Sequence, residues 1–214
     1  MKKFFALLMF PFLMSTMPAI VVDSIEPPTY RYFQTVALND PWLPKIDGWM
    51  RREKMEDLET IFFVEEASSI PHVDSPAPLF RFVHEFWKQH RFSTMTKGNL
   101  ARANAAWIQD IAKRHYRKDV KKDHWATFDE VLIANGDDCD GLAVINYHLL
   151  RNLGFQAREL FLGIIHRPSD GQHHMVLLWF HEKGDPFVID PTGAAVSMPL
   201  KMSEVEYWWP LLMF

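Results

Sequence analysis

At 214 residues, 48% hydrophobic and with a net charge of −4, the chain can bury a full core as one domain with an N-terminal elaboration, and its charge does not predict a nucleic-acid partner. Its one basic run, Lys113 to Lys122, is interrupted by Asp119 and reads as a solvated helix end. The single cysteine, Cys139, excludes an internal disulfide and any CxxC zinc site, so its thiol is either a small core hydrophobe or a chemical group.

Lys2-Lys3 followed by the apolar run Phe4 to Phe10 and Phe12-Leu13-Met14 has the pattern of a secretory signal over residues 1–22. The stretch from Phe4 to Val22 nearly suffices for a retained membrane anchor, but Pro11 and Pro18 weigh against that. A removed signal and a periplasmic or secreted protein are therefore expected, with membrane contact only if the segment is kept. Residues 23–78 are rich in proline and aromatics and are expected to wrap the core. A short helix near Trp49–Leu58 and a strand over Ile61–Val64 are expected within them.

The remaining residues, 79–214, carry the regular patterns. Leu79, Phe82, Val83, Phe86 and Trp87 follow one helical face, as do Leu100, Ala103, Trp107, Ile108 and Ile111. Thr127 with Glu130 three residues later announces a capped short helix that ends at Asn135-Gly136. A central helix runs from Cys139 to Leu153, with Asp138 as its cap and Gly154 as its stop.

Beyond Gly154 the period becomes extended. Strands are expected over Arg158–Ile165, His174–His181 and Phe187–Asp190, with turns at Pro168-Ser169-Asp170-Gly171 and Gly184-Asp185-Pro186. A helix followed by an antiparallel meander is an α+β arrangement. The apolar C-terminus, Tyr207 to Phe214, is expected to pack back onto the domain.

A cysteine at the first position of a helix meets the positive end of the backbone dipole, which favours thiolate. Asp137, Asp138 and Asp140 beside it disfavour a greasy burial. Period-two alternation puts His174 on a face with Val176, Leu178 and Phe180, and Val188 with Asp190. If the meander packs on the helix, His174 faces its start and Asp190 stands on the next strand, so the three can converge as nucleophile, base and orienting carboxylate. His173 is the competitor for the base, since alternation admits only one of the pair. Together with His166 and His181 it lacks a carboxylate or cysteine at metal-ligand spacing.

The succession His124-Trp125-Ala126-Thr127, Gly136-Asp137-Asp138-Cys139-Asp140, His174-Met175-Val176-Leu177 and Val188-Ile189-Asp190 resembles the bacterial transglutaminase-like cysteine peptidases of the LapG type, over residues 97–195. The resemblance implies a papain-like or transglutaminase-like fold, export to the periplasm, and hydrolysis of a peptide bond in a protein or peptide substrate, a surface protein in some members. It assigns Cys139 as nucleophile, His174 as general base and later acid, and Asp190 as the orienting carboxylate. The Cys139 amide would meet the oxyanion, with Asn135 or Trp125 as second donor.

No cofactor is required by this chemistry. Calcium-dependent relatives resemble Asp-Cys-Glu-Asp at the nucleophile, whereas Gly141 stands here at the last acidic position. A calcium site would need Asp137 or a carbonyl as substitute. Two other readings keep the fold: an acyltransferase that passes the same thioester to an amine, and a binding protein that no longer turns over.

Overall fold

The structure is a computed structural model that describes residues 33–35, 38–53, 78–119, 123–181 and 184–214. The signal segment 1–22, the strand expected at 61–64 and the end of the helix expected to reach Leu58 lie outside the described residues. Among the described residues, five α-helices and six strands follow in chain order: β1 (Gln34–Thr35), α1 (Leu43–Glu53), α2 (Pro78–His90), α3 (Lys97–His115), α4 (Phe128–Ala134), α5 (Cys139–Asn152), β2 (Leu160–Arg167), β3 (Gln172–Trp179), β4 (Phe187–Ile189), β5 (Leu200–Lys201) and β6 (Trp209–Met213). The fold class is α+β, as expected, with the helices between β1 and the other five strands of one six-stranded sheet of order β1-β6-β2-β3-β4-β5.

Helix α5 is the axis of the molecule. Every residue from Asp140 to Leu150 is buried, so the helix has no solvent face and must be enclosed by other elements. Leu142, Ile145, Leu149 and Leu150 form one core with Val83 of α2, Ile108 and Ile111 of α3, Val131 of α4, and Met175, Leu177 and Trp179 of β3. A second, smaller core lies on the other face of the sheet, around Ile165, Val176, Leu178, Val188 and Trp208. The ends of α5 are defined locally: the Asp138 side chain accepts the Asp140 amide at 3.4 Å, and Gly154, at φ +93°, follows the last turn. Helix α4 carries the expected reciprocal box, with Thr127 and Glu130 satisfying each other's amides.

Three features depart from the sequence reading. Helix α1 begins at Leu43, earlier than expected, because Pro44 falls in its first turn, where a missing N–H costs nothing. The expected apolar row is reversed: the row of β3 against α5 is Met175, Leu177 and Trp179, while Val176 and Leu178 face the second core; His174, near the start of β3, still lines a cavity with the first residue of α5. The C-terminus does pack back, but as strand β6 inside the sheet, parallel to β1 and antiparallel to β2. Pro210 hides that strand from a reading of the sequence. It sits opposite Ile165, at the register shift between Ile164 and Ile165, where the ladder is already interrupted.

Helix α1 joins the main core through Ile46 and Trp49, and the Trp49 indole donates to the Ala126 carbonyl at 2.9 Å. Its last residue, Glu53, is buried beneath α4 and α5. One oxygen of Glu53 lies 2.5 Å from His148 Nε2 of α5, and the other accepts the Phe128 amide at 2.7 Å. Removing this carboxylate takes away the buried partner of His148 Nε2 and an acceptor of the Phe128 amide. Glu53→Ala is expected to lower unfolding free energy by about 2–4 kcal/mol in urea denaturation; a loss within about 0.5 kcal/mol, the level of an ordinary surface change, would contradict this anchoring role.

Candidate active site

Cys139 is the first residue of α5 and is half-buried. It lines a cavity of about 330 Å³ together with Trp42, Trp125, His173, His174 and Met175. Trp42 stacks on Trp125 with ring centroids 6.0 Å apart, Trp125 stacks on Phe214 at 5.6 Å, and Lys45 Nζ lies 4.6 Å over the Trp125 ring. The cavity therefore has an aromatic wall contributed by the N-terminal segment and by the loop before α4.

Across the cavity, His174 and Asp190 are in direct contact. His174 Nε2 donates to Asp190 Oδ1 at 2.9 Å, and Asp190 is fully buried. The carboxylate is enclosed by the loop that follows β4: Thr192 N–H reaches Oδ1 at 2.8 Å, Thr192 Oγ1 reaches the same oxygen at 3.0 Å, and Ala195 N–H reaches Oδ2 at 2.6 Å. Burial alone would raise the acid, but the His174 hydrogen bond and charge, with the Ala195 and Thr192 amides, outweigh it and hold Asp190 at about 2. Asp190 is thus a permanent carboxylate, able to fix the imidazole with its proton on Nε2. His174 Nδ1 carries no hydrogen bond among those of the described residues. The Trp208 ring packs 5.5 Å from the imidazole on its other side.

The surroundings of Cys139 correct the expectation of a thiolate. Burial pushes the thiol up, the Asp138, Asp140 and Asp190 carboxylates push it further, and only the Met175 amide pulls the other way. Desolvation and nearby negative charge favour the thiol form of Cys139, against the pull of the helix dipole.

Asp137, Asp138 and Asp140 each offer an oxygen within 4.8 Å of the others. Asp137 Oδ2 and both Asp140 oxygens are buried without a hydrogen-bond partner. Burial raises Asp137 to about 6, with the Asp138 and Asp119 carboxylates adding to it. Burial also raises Asp140 strongly, reinforced by Asp138 and Asp137. Gly141 makes this crowding possible, since a Cβ there would lie 2.2 Å from Asp137 Oδ2 and 2.6 Å from Val131 Cγ2. The Asp137 carboxylate thus fills the volume that a side chain at position 141 would require. An acidic cluster with orphaned, buried oxygens is a donor set that fits a hard divalent cation such as calcium.

Comparison with solved structures identifies the architecture. The chain superimposes on Legionella pneumophila LapG treated with EGTA with a TM-score of 0.54 at 20% identity, covering 64% of this chain and 72% of that one. Calcium-bound Legionella pneumophila LapG gives a TM-score of 0.52 at 20% identity, over 64% of this chain and 74% of that one. The fold is transglutaminase-like. No family model and no curated protein matches the sequence.

Within this fold, the structure brings His174 and Asp190 into hydrogen-bond contact and sets Cys139 on the same cavity as His174. His173 lines the same cavity and is exposed, 5.5 Å from the Trp42 ring. Of the two suggested oxyanion donors, Trp125 lines the cavity, whereas the Asn135 side chain is used elsewhere, accepting the Leu79 amide at 2.9 Å. Thr192 was not singled out by sequence reasoning, although Asp190-Pro191-Thr192-Gly193 is a turn composition in which an aspartate side chain commonly accepts the backbone N–H two residues on. Trp42 was read only as part of a proline-rich wrap.

The raised acids carry a pH signature. A carboxyl group whose folded pKa exceeds its unfolded value costs nothing while protonated, below about pH 4, and costs increasing stability as pH rises above that value. Asp140→Asn should therefore stabilise chelator-treated protein by about 1–3 kcal/mol near neutral pH, with the gain vanishing toward pH 4. Thermal unfolding across that range measures it, and an unchanged or lowered melting temperature at neutral pH would contradict the burial of an uncompensated acid.

Proposed function

We propose that the protein is a thiol hydrolase that cleaves a peptide bond in a protein or peptide substrate, with Cys139 as nucleophile, His174 as base and acid, and Asp190 as orienter. The observation that carries this reading is the buried His174–Asp190 hydrogen bond, at 2.9 Å, opening onto the cavity that the Cys139 thiol also lines.

With Nε2–H committed to Asp190, Nδ1 is the nitrogen available to accept the Cys139 proton. With the thiol form of Cys139 favoured by its surroundings, proton transfer accompanies attack in this reading. The sulfur adds to the scissile carbonyl carbon, and the oxyanion meets the first amide of α5, which no helical carbonyl satisfies. Trp125, which lines the cavity, is the proposed second donor. The tetrahedral species collapses to a thioester as the leaving amine takes the proton from His174. A water molecule, deprotonated by His174, then adds to the thioester carbonyl, releasing the acid and returning the proton to sulfur.

Asp137, Asp138 and Asp140 would hold a calcium ion, with Asp137 supplying the carboxylate that position 141 lacks. Bound there, the ion would supply positive charge that offsets the repulsion among these acids. Among the described residues no helix is long and apolar enough to cross a membrane. Export to the periplasm or beyond is proposed from the basic and apolar run at the N-terminus, with a surface protein as a fitting substrate class and no nucleic-acid partner.

Incubation of the protein with a proteome-derived peptide library, read by mass spectrometry, is expected to yield new termini. Cys139→Ala and His174→Ala should each reduce their rate of appearance by at least about a thousand-fold, and Asp190→Asn by about a hundred-fold or more. Amine-blocked rather than free carboxyl products in the presence of a primary amine would assign acyl transfer instead. Cleavage that survives Cys139→Ala, or no turnover by the native protein, would overturn the hydrolase reading.

A further inference from the structure

We infer that Gln109, on α3, is a positioning residue for the Asp190 carboxylate: it clamps the two ends of the loop that cages that group. This rests on the proposed roles of Cys139, His174 and Asp190.

The need for a clamp follows from where the sheet stops. The β3–β4 ladder pairs Trp179 with Phe187, Leu178 with Val188 and Leu177 with Ile189, and goes no further. His174 lies three residues beyond that last pair along β3, where it pairs with Ile165 of β2 instead. Asp190 is therefore the first residue past the end of β4, and its backbone is not held by the ladder that holds His174. A carboxylate that must stay within hydrogen-bond distance of an imidazole needs another support.

Two amide side chains provide it. Asn146 of α5 donates from Nδ2 to the Ile189 carbonyl at 3.3 Å, fixing the end of the strand. Gln109 Nε2 then donates to the Asp190 carbonyl at 3.0 Å and to the Val196 carbonyl at 3.1 Å. Both protons of one amide thereby join the first and last residues of the loop whose amides at Thr192, Ala195 and Val196 point at the Asp190 carboxylate. The loop is shaped for this approach. Gly193 has φ +79°, and a Cβ on it would already stand 3.3 Å from Gln109 Cδ. Gln109 is half-buried, and its hydrogen bonds go to the Asp190 and Val196 carbonyls, so it acts through Asp190. Its effect on chemistry is one of geometry, where displacements of about 1 Å can cost up to about a hundred-fold in rate.

The test compares native protein, Gln109→Leu, Gln109→Glu and His174→Ala. One readout is the rate of Cys139 alkylation by iodoacetamide at fixed neutral pH. The other is amide hydrogen exchange at Ala195 and Val196, with the α5 amides as a reference for global folding. Gln109→Leu keeps the length of the side chain and loses both donors. Alkylation is expected to slow about ten-fold, and exchange at Ala195 and Val196 to rise, while α5 stays protected. A merely structural role would lower stability without changing the alkylation rate of the folded protein. If Gln109→Leu loses α5 protection, Gln109→Glu, which keeps size and polarity but not the donors, is judged by the same two readouts. Alkylation within two-fold of native in the folded variant, while His174→Ala is slow, would overturn the clamp and leave the proposed roles standing. Alkylation unaffected by His174→Ala would instead overturn those roles.

Discussion

Helix α5 is enclosed on all sides, and that enclosure fixes where its first residue can be. A helix buried from Asp140 to Leu150 cannot slide or roll without opening the main core, so the position of Cys139 is inherited from the packing of α2, α3, α4 and β3 around it. The buried polar groups of the same helix add direction to this packing. His148 meets Glu53 of α1, and Asn146 meets both Asn104 of α3 and the Ile189 carbonyl of β4. The helix that carries the thiol is thus tied to the strand that leads into Asp190, and the two sides of the cavity share one rigid support.

Charge works against the thiol at this helix start, and the arrangement makes sense of the base. The acids that cap and crowd the first turn of α5 raise Cys139, whereas the cage around Asp190 keeps that carboxylate ionised. One half of the cavity therefore stores an unreleased proton, and the other presents an oriented imidazole to receive it. A cation at Asp137, Asp138 and Asp140 would ease the first half without touching the second. Gly141 gives that cluster its form, because the Asp137 carboxylate occupies the space that a larger residue there would claim.

Much of this was legible in the chain itself. The helical periods of α2 and α3, the Thr127–Glu130 box, the Asp138 cap and the Gly154 stop are local signals, and the local elements formed where they pointed. What failed was what the neighbours decide. Period-two alternation says that Val176 and Leu178 share a face but not which face meets the helix, so the expected apolar row was inverted, although His174 reaches the cavity at the helix start. Strand β6 was invisible because Pro210 is compatible with an interior strand only at an irregular pairing, which a single sequence does not display. The desolvation that opposes a Cys139 thiolate was not legible, because the dipole is a local property while desolvation is a tertiary one. Gln109 gave no signal at all, as its two acceptors are backbone carbonyls more than eighty residues away.

The central claim is that Cys139 forms a covalent bond to the substrate carbonyl with His174 as its proton acceptor. Acid quenching during turnover of a cleaved peptide, followed by proteolysis and mass spectrometry, tests it most directly. A thioester mass on the peptide containing Cys139 in the native protein, absent from His174→Ala, is the predicted result. Turnover with the Cys139 peptide unmodified at every time point, and an adduct on another residue, would contradict it.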